Sequence, residues 1–520
     1  MGRRQYFATK SLDVLLEEMA GEHRLKRVLG PVSLSALGIG ATIGTGIFVL
    51  VGQVASQTTG PSLMLSFVVA GIACVFAGLC YAEFASMAPV AGSAYTYGYA
   101  TLGELLAWII GWDLVLEYAV AAAAVAHGWS KYFQDLIDFA DLKVPAVFRD
   151  APFSYNGHTG EFHITGSWLD LPAVVIAAIC TIVLVVGIKE STRFNALMVI
   201  VKVSVVLFVI AVGAFYINPA NWTPFAPYGF SGVSFFGHTV WGEAIDGKPV
   251  GMIAGAAIIF FAYIGFDAVS THSEEAKNPS RDVPIGILAS LVICTALYIA
   301  MAAVVTGMVP YREIQKEAPV AAAFNHVGLG WARLLVDIGG LTGITSVLLV
   351  TMLSQPRVLL AMARDGLLPP SFFGAVHDRF QTPWKSTILT GFVVAALGSL
   401  LPLDILADLV SIGTLMAFVI VCAAVLVMRK TNPDAPRPFR VPFSPIVPLL
   451  GMGFCLMLMF SLPPANWYRL AGWLAAGFVI YFSYGQFHSH LGKQLVHEIQ
   501  AHGVSPAGVP ITDIDRANNP

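Results

Sequence analysis

Apolar runs of about 20 residues, parted by short polar connections, recur from residue 32 to residue 487. A helix needs about 20 mostly apolar residues to cross the hydrocarbon of a bilayer. Twelve segments reach that length, near 32–56, 62–86, 98–127, 169–188, 193–216, 250–272, 283–309, 331–357, 384–402, 404–428, 442–462 and 467–487. The pattern predicts an all-α polytopic membrane protein. Residues 1–31 form a charged N-terminal segment. Within it Leu12, Leu15, Leu16 and Met19 recur at helical spacing and predict a helix over 10–29, on the membrane surface or under the bundle. Residues 491–520 close the chain on the polar stretch GVSPAGVPITDIDRANNP, which predicts a disordered cytoplasmic tail.

Charge adds orientation. An even number of spans returns both ends of the chain to one side. Arg3, Arg4, Lys10, Arg24, Lys26 and Arg27 precede the first span. On the same side lie Lys189, Arg193, Lys277 and Arg281, then Arg357, Arg364, Arg379 and Lys385, then Arg429, Lys430, Arg437 and Arg440. The other side carries sparser cations, such as Lys131, Lys143, Lys248, Arg312 and Lys316. The excess of cations predicts a cell (plasma or inner) membrane protein with both termini cytoplasmic. Composition agrees: 56% of the 520 residues are hydrophobic and 12% charged, with mean hydropathy +0.73, where a soluble chain carries about a quarter charged residues. A net charge of −3 offers no surface for nucleic acid. The six cysteines sit in apolar runs without metal-ligand spacing and read as small packing residues.

The first span is weak where a spanning helix is normally strong. Its stretch SALGIGATIGTGIF, residues 35–48, carries Gly38, Gly40, Gly44 and Gly46. In hydrocarbon every backbone N–H and C=O needs a partner, so non-helical backbone survives only inside protein or against a wet cavity. A helix broken here frees N–H groups at the start of its second half, where the dipole favours an anion. Thr42 and Thr45 add hydroxyls. Helix packing through the Gly40–Gly44 pair is the alternative. The sixth span, GAAIIFFAYIGFDAVSTH, is interrupted as well, at Gly265 and Asp267. The two interruptions correspond if spans one to five and six to ten are halves, which points to a secondary transporter with inverted repeats and a midplane site.

These stretches resemble the amino acid–polyamine–organocation superfamily, and within it the cationic amino acid transporter family in its bacterial form of about twelve spans. The resemblance rests on LKRVLGPVSLSALGIGATIGTGIFVLVG at 25–52, YAEFASMAPVAGSAYTY at 81–97, GWDLVLEYAV at 111–120, FFAYIGFDAVSTHSEEAKNPSRDVPIGI at 260–287 and QPRVLLAMARDGLLP at 355–369. It implies a five-plus-five inverted repeat over 32–428 with broken first and sixth helices, and two further helices within 429–490. It implies that an amino acid α-carboxylate binds at Thr42, Ile43, Gly44, Thr45 and Gly46. The α-ammonium would meet freed carbonyls near Phe261, Ala262 and Ile264, with Phe261 closing over the substrate.

Ionisable residues within spans are functional candidates. Lys202 lies nine residues beyond Arg193, about 14 Å along a helix. An ammonium at that depth needs an anion or a cage of carbonyls, or it gives up its proton. In sodium-coupled proteins of the resembling fold a metal ion joins the first and eighth helices. In the cation transporter relatives a fifth-helix lysine takes that place, and Lys202 matches it, which implies sodium independence or proton coupling. Glu117 lies on the third span with Asp113 one turn earlier on the same face, and the resemblance sets Glu117 near the substrate. Asp267 is expected to cap freed N–H groups where the sixth span restarts. Glu83 is expected to end the second span at the cytoplasmic interface. Glu274, Glu275, Arg281, Arg364 and Asp365 are candidates for ion pairs that shut an inner gate.

No Walker A loop and no G-x-S-x-G elbow is present. HEIQAH at 497–502 lacks the second histidine at the required spacing, so it holds no zinc pair. The sequence is read as an amino acid permease rather than an enzyme. It is expected to be proton-coupled and sodium-independent, with no cofactor or metal. The substrate is a cationic or a small neutral amino acid; an exchanger, an amino acid sensor and an intramembrane enzyme remain alternatives. Expected partners are the amino acid, protons, the lipid bilayer and a small membrane accessory subunit.

Overall fold

The apolar runs fold as helices, and each of the twelve expected segments is helical. A computed structural model describes residues 6, 8–10, 29–87, 93–139, 141–155, 161–186, 191–236, 238–245, 248–315, 318–380 and 382–494. Residues 11–28 of the expected surface helix, Lys189, Lys316 and the tail with HEIQAH lie outside the described residues, as do the side chains of Arg193, Lys248 and Glu274. The spans are α1 (Pro31–Thr42), α2 (Leu63–Met87), α3 (Glu104–Asp138), α4 (Leu171–Val186), α5 (Ser191–Gly213) and α6 (Met252–Ile259). They continue as α7 (Pro279–Met308), α8 (Gly330–Arg364), α9 (Trp384–Leu400), α10 (Leu403–Thr431), α11 (Ile446–Ser461) and α12 (Pro464–Ile480). Proline opens α1, α7 and α12 at a first-turn position, where its missing N–H leaves no orphan.

By length and composition, seven described helical stretches suffice to cross a membrane, or eight if the α11–α12 pair, bent by 109°, is one crossing. The apolar helices α1, α4 and α9 are shorter. One of the seven runs unbroken from Gly46 to Met87, yet it is two crossings. Along α7, Leu34 lies against Gly286 and Gly38 against Ser290, so α1 runs parallel to α7. Gly71 lies against Thr295 and Gly78 against Leu291, so α2 runs antiparallel to it. The reversal falls at Gly60, whose φ of +62° a residue with a side chain would adopt only under strain.

The third span starts later and ends later than expected. A separate helix, Ser93–Thr101, precedes it, and Gly103 at φ +97° breaks the two apart. Beyond residue 127 the polar residues of α3 stay helical because loop partners take their side chains. Ser130 donates to Asp170 at 2.5 Å, Lys131 to Asp150 at 2.9 Å and Gln134 to the Arg149 carbonyl at 2.8 Å. Three short hairpins decorate the connections after α3 and α5: Phe153–Tyr155 with Phe162–Ile164, Val233–Phe235 with His238–Trp241, and Glu243–Ile245 with Lys248–Val250.

Both ends of the described chain meet on one face. Lys10 N–H donates to the Tyr99 carbonyl, Glu104 N–H to the Ala8 carbonyl, and His490 N–H to the Asp365 carbonyl. Glu83, expected at an interface, is buried instead. Its carboxylate accepts from Arg429 Nε at 3.0 Å and Nη2 at 2.5 Å, with Val441 N–H at 2.7 Å and Arg437 Nε 3.5 Å away. This clamp ties α2 to the end of α10. Removing one partner of a buried ion pair strands the other charge. Glu83→Ala is therefore expected to cost roughly 3 kcal/mol of stability, read as a lower thermal unfolding midpoint in detergent. Glu83→Gln, which keeps an acceptor for Val441, is expected to lose less.

Candidate functional site

The two interruptions meet. Helix α1 ends at Thr42, Ile43 is extended (φ −74°, ψ 102°), and helical backbone resumes at Gly46. In the sixth span a 3-10 turn, Phe260–Tyr263, follows α6; Ile264 is extended and Gly265 sits at φ +115° before Ala268–Thr271. The glycines permit backbone to touch backbone. A Cβ on Gly46 would stand 2.4 Å from Ala262 Cα, and one on Gly265 would stand 2.6 Å from the Ala41 carbonyl oxygen.

Freed carbonyls find donors. Lys202 on α5, fully buried, donates to the Ile43 carbonyl at 3.0 Å, to Ser346 Oγ on α8 at 2.9 Å, and to the Gly40 carbonyl. One ammonium thus joins three helices through three oxygens of the kind an alkali cation takes. Tyr298 on α7 offers its hydroxyl to the Thr42 carbonyl at 2.9 Å and the Ala262 carbonyl at 2.8 Å, bridging the two breaks. Sequence reasoning missed Tyr298 because a tyrosine in an apolar span carries no distinguishing pattern.

A cavity of about 20 Å³ lies between the breaks, room for the centre of a water but not for an amino acid. Six of the expected residues line it: Thr42, Gly44, Thr45, Gly46, Phe261 and Ile264. The rest of the wall is Ala121 and Val125 on α3 and Val347 and Thr351 on α8, each pair one helical turn apart. Thr45 Oγ1 is buried without a partner, whereas Thr42 Oγ1 donates back to the Gly38 carbonyl at 2.8 Å. Ile43 and Ala262 stay off the wall and contribute carbonyls to Lys202 and Tyr298. Glu117 is also off the wall, one turn behind Ala121, with Thr414 on α10 as its hydrogen-bonding neighbour. A larger cavity of about 100 Å³ lies on the side away from the termini, between Gln53 and Val54, Ala257 and Ile258 of α6, and Asp404 and Asp408 of α10.

Asp267 does not cap. It occupies the residue before Ala268–Thr271 but in helical conformation, φ −64° and ψ −26°, and makes no capping bond, whereas a capping side chain reaches the first turn from extended backbone. The N–H groups of Ala268, Val269 and Ser270 are taken by the carbonyls of Gly265, Phe266 and Asp267. The carboxylate instead accepts from Tyr118 Oη at 2.9 Å and ties the restart to α3.

Two of the expected gate residues, Glu275 and Asp365, form ion pairs on the terminal face, with partners outside the expected set. Arg357 reaches Glu275 at 3.8 Å, and Lys10 reaches Asp365 at 3.1 Å, where Tyr95 also donates at 2.6 Å. Among the described residues Arg281 and Arg364 form no ion pair. Arg357 Nη1 also meets His272 Nε2 at 3.1 Å, while His272 Nδ1 faces the Ala268 carbonyl at 2.9 Å. His272 thus accepts from Arg357 through Nε2 while Nδ1 faces a carbonyl that can only accept.

A family model described as Amino acid permease matches residues 29–482. The branched-chain amino acid permease BcaP of Bacillus subtilis (strain 168) is 47% identical over 488 residues, 94% of this chain and 99% of that protein. A methylthioribose transporter of the same strain is 45% identical over 487 residues, with the same coverage. The vacuolar cationic amino acid transporter 4 of Arabidopsis thaliana is 40% identical over 420 residues, 80% of this chain and 65% of its own length.

One outcome follows from the geometry. Tyr298→Phe removes the donor shared by the two breaks and is expected to slow uptake into proteoliposomes by roughly three- to tenfold, with the protein still folded.

Proposed function

The chain belongs to the amino acid permease family, and from that premise we propose a proton-coupled, sodium-independent carrier of neutral amino acids with small or branched apolar side chains. The observation that carries the substrate class is the cavity wall. Phe261, Ile264, Ala121, Val125 and Val347 are apolar, Thr351 is neutral, and among the described residues no charged side chain reaches the cavity. A lysine or arginine side chain would enter that wall at the full cost of an unpaired charge. The branched-chain amino acid permease among the relatives agrees with such a wall. At the other end of the cavity the free Thr45 hydroxyl and the restart of the first span at Gly46 suit a carboxylate. The Phe261 and Ile264 region of the sixth span suits the ammonium.

The carrier works by alternating access. Supporting this, Phe261 stands one turn from the larger cavity, while Glu275–Arg357 and Lys10–Asp365 close the terminal face. The transport core is a five-plus-five inverted repeat over 32–428. In its favour, α3 and α8 are both 35 residues long, and α4 and α9 are 16 and 17. The pairing is also exchanged between halves: the first span lies on α7 and the sixth on α2, where Ser66 Oγ donates to the Met252 carbonyl at 2.7 Å. Lys202 takes the place of a sodium ion, its three oxygen partners being already filled by an ammonium. Glu117, buried with Oε1 unpartnered, carries the coupling proton. The termini are cytoplasmic, since the face they share also carries Arg357, Arg429 and Arg437.

A second reading keeps the mechanism and turns Glu117 towards a cationic side chain, its free Oε1 one turn from Ala121 being the observation in favour. Uptake of labelled alanine, leucine and arginine into proteoliposomes without sodium, with and without an inward proton gradient, separates the two. Gradient-stimulated uptake of alanine or leucine without arginine is the expected result. Arginine uptake selects the second reading, and uptake only into preloaded vesicles selects an exchanger. Thr45→Val is expected to raise KM for the neutral substrate by roughly tenfold with a smaller change in kcat.

A further inference from the structure

Three carboxylates stand behind the cavity without a cation among them. Asp113 and Glu117 lie one turn apart on α3, and Asp267 follows the sixth-span break. None is more than 1% exposed. Both oxygens of Asp113, Oε1 of Glu117 and Oδ1 of Asp267 are buried without a hydrogen-bond partner. Glu117 is close enough to feel the charges of both Asp267 and Asp113. Asp113 presses against the backbone of α10, where a Cβ on Gly413 would stand 2.9 Å from its Oδ1.

The titratable neighbours of the cluster are neutral groups: Cys74 and Tyr81 on α2, Tyr97 on the helix Ser93–Thr101, Tyr118 on α3 and Cys422 on α10. From α8 and α12 this stretch of α3 meets Met362 and Trp473. Among the described residues no lysine, arginine or histidine bonds any of the three carboxylates. A metal does not fit. Among the described residues the ligand atoms that converge within 4.8 Å belong to His127, Asp150 and Asp170, at the other end of α3.

A buried carboxylate that has neither a counter-ion nor a donor takes up a proton. Asp267 receives the Tyr118 hydroxyl and is the member best placed to keep its charge. Asp113, with both oxygens unpartnered, and Glu117, whose neighbour Thr414 gives its own hydroxyl proton to the Val410 carbonyl, then hold one proton each. Asp113 is also nearer the terminal face, since it lies between Glu117 and Glu104, whose N–H bonds the Ala8 carbonyl. We propose that Asp113 is a second proton-binding residue of the transport cycle, sharing with Glu117 the protons that accompany the substrate. When the terminal face opens, Asp113 gives its proton to water, and the Glu117 proton passes to the Asp113 carboxylate and leaves the same way. The first transfer leaves Asp113 charged and a hydronium ion in the water, the second neutralises Asp113 and charges Glu117, and the third returns Asp113 to its charged form, so no further group is required. The inference rests on the proton-coupled reading above.

The test measures protons carried per alanine in proteoliposomes of the full chain, using a pH-sensitive dye inside and labelled alanine outside. Asp113→Asn is expected to lower that ratio by about twofold or more. A merely structural role lowers both fluxes in step and leaves the ratio unchanged, which overturns the proposal while the proton-coupled reading stands. A ratio of zero in the unsubstituted protein overturns both. If Asp113→Asn yields no folded protein, Asp113→Glu decides: a moved pH midpoint of alanine uptake supports the proposal, and an unmoved one overturns it.

Discussion

Hydrocarbon requires every backbone N–H and C=O to be paired, and two helices in this chain are broken inside the bundle. Much of the architecture follows from that requirement. The carbonyls at the end of α1 point at no following turn, so α5 brings Lys202 to Ile43 and Gly40, and α7 brings Tyr298 to Thr42 and Ala262. Ser346 ties the same ammonium to α8. The glycines act on the steric side of the same problem: Gly46 and Gly265 let the two breaks approach until backbone meets backbone. The first break thus keeps no free carbonyl for a ligand at Ile43, and the groups left for one are the Thr45 hydroxyl and the start of the second half-helix.

Charge inside the bundle is divided between two sides of α3 and α1. The cation, Lys202, is caged by oxygens on the side of α5 and α8. The carboxyl groups of Asp113, Glu117 and Asp267 gather on the side of α10, and among the described residues no lysine, arginine or histidine bonds them. The cavity lies between, lined by neutral residues alone. On the proposed reading the breaks part to widen this cavity, and a zwitterion then sets its charged ends on backbone and hydroxyl groups and its side chain against Val125, Val347 and Phe261. The separation also keeps the titrating carboxylates out of reach of Lys202, which would otherwise hold them ionised.

Periodicity and run length alone made the spans legible, because lipid tolerates no other pattern: the boundaries of α2, α8, α9 and α10 agree with the structure to within a few residues except at the end of α8. The breaks were legible because glycine and aspartate are out of place in an apolar run. The cavity's first- and sixth-span residues followed from them and from family resemblance. The third- and eighth-span residues did not, since Ala121, Val125, Val347 and Thr351 look like any lipid-facing or core residue until a neighbour gives them a wall to form. The cap expected of Asp267 failed for a local reason, as tight-turn carbonyls had already taken the N–H groups. Glu275 and Asp365 pair as expected of gate residues, but their partners were hidden for a distant reason: these are Arg357 and Lys10, and no local spacing announces a contact across 82 or 355 residues.

Burial separates what is fixed from what can move. Glu83 has 3% of its side chain exposed and is held by two arginines and an N–H, so parting it from α10 would strand charges in a dry interior. Helices α2 and α10 therefore behave as a frame. The pairs that close the terminal face are different: Arg357 and Glu275 retain 30% and 22% exposure at 3.8 Å, and such pairs contribute about 0–1 kcal/mol. They break at little cost once water reaches them. On the other side of the cavity stands an apolar ring, Phe261, whose side chain has no polar bond to break. On the proposed alternating-access reading, a weak ionic closure on one face, a hydrophobic one on the other and a rigid clamp beside both would let the broken helices rock between faces, with the substrate and the carboxylates behind it deciding which closure holds.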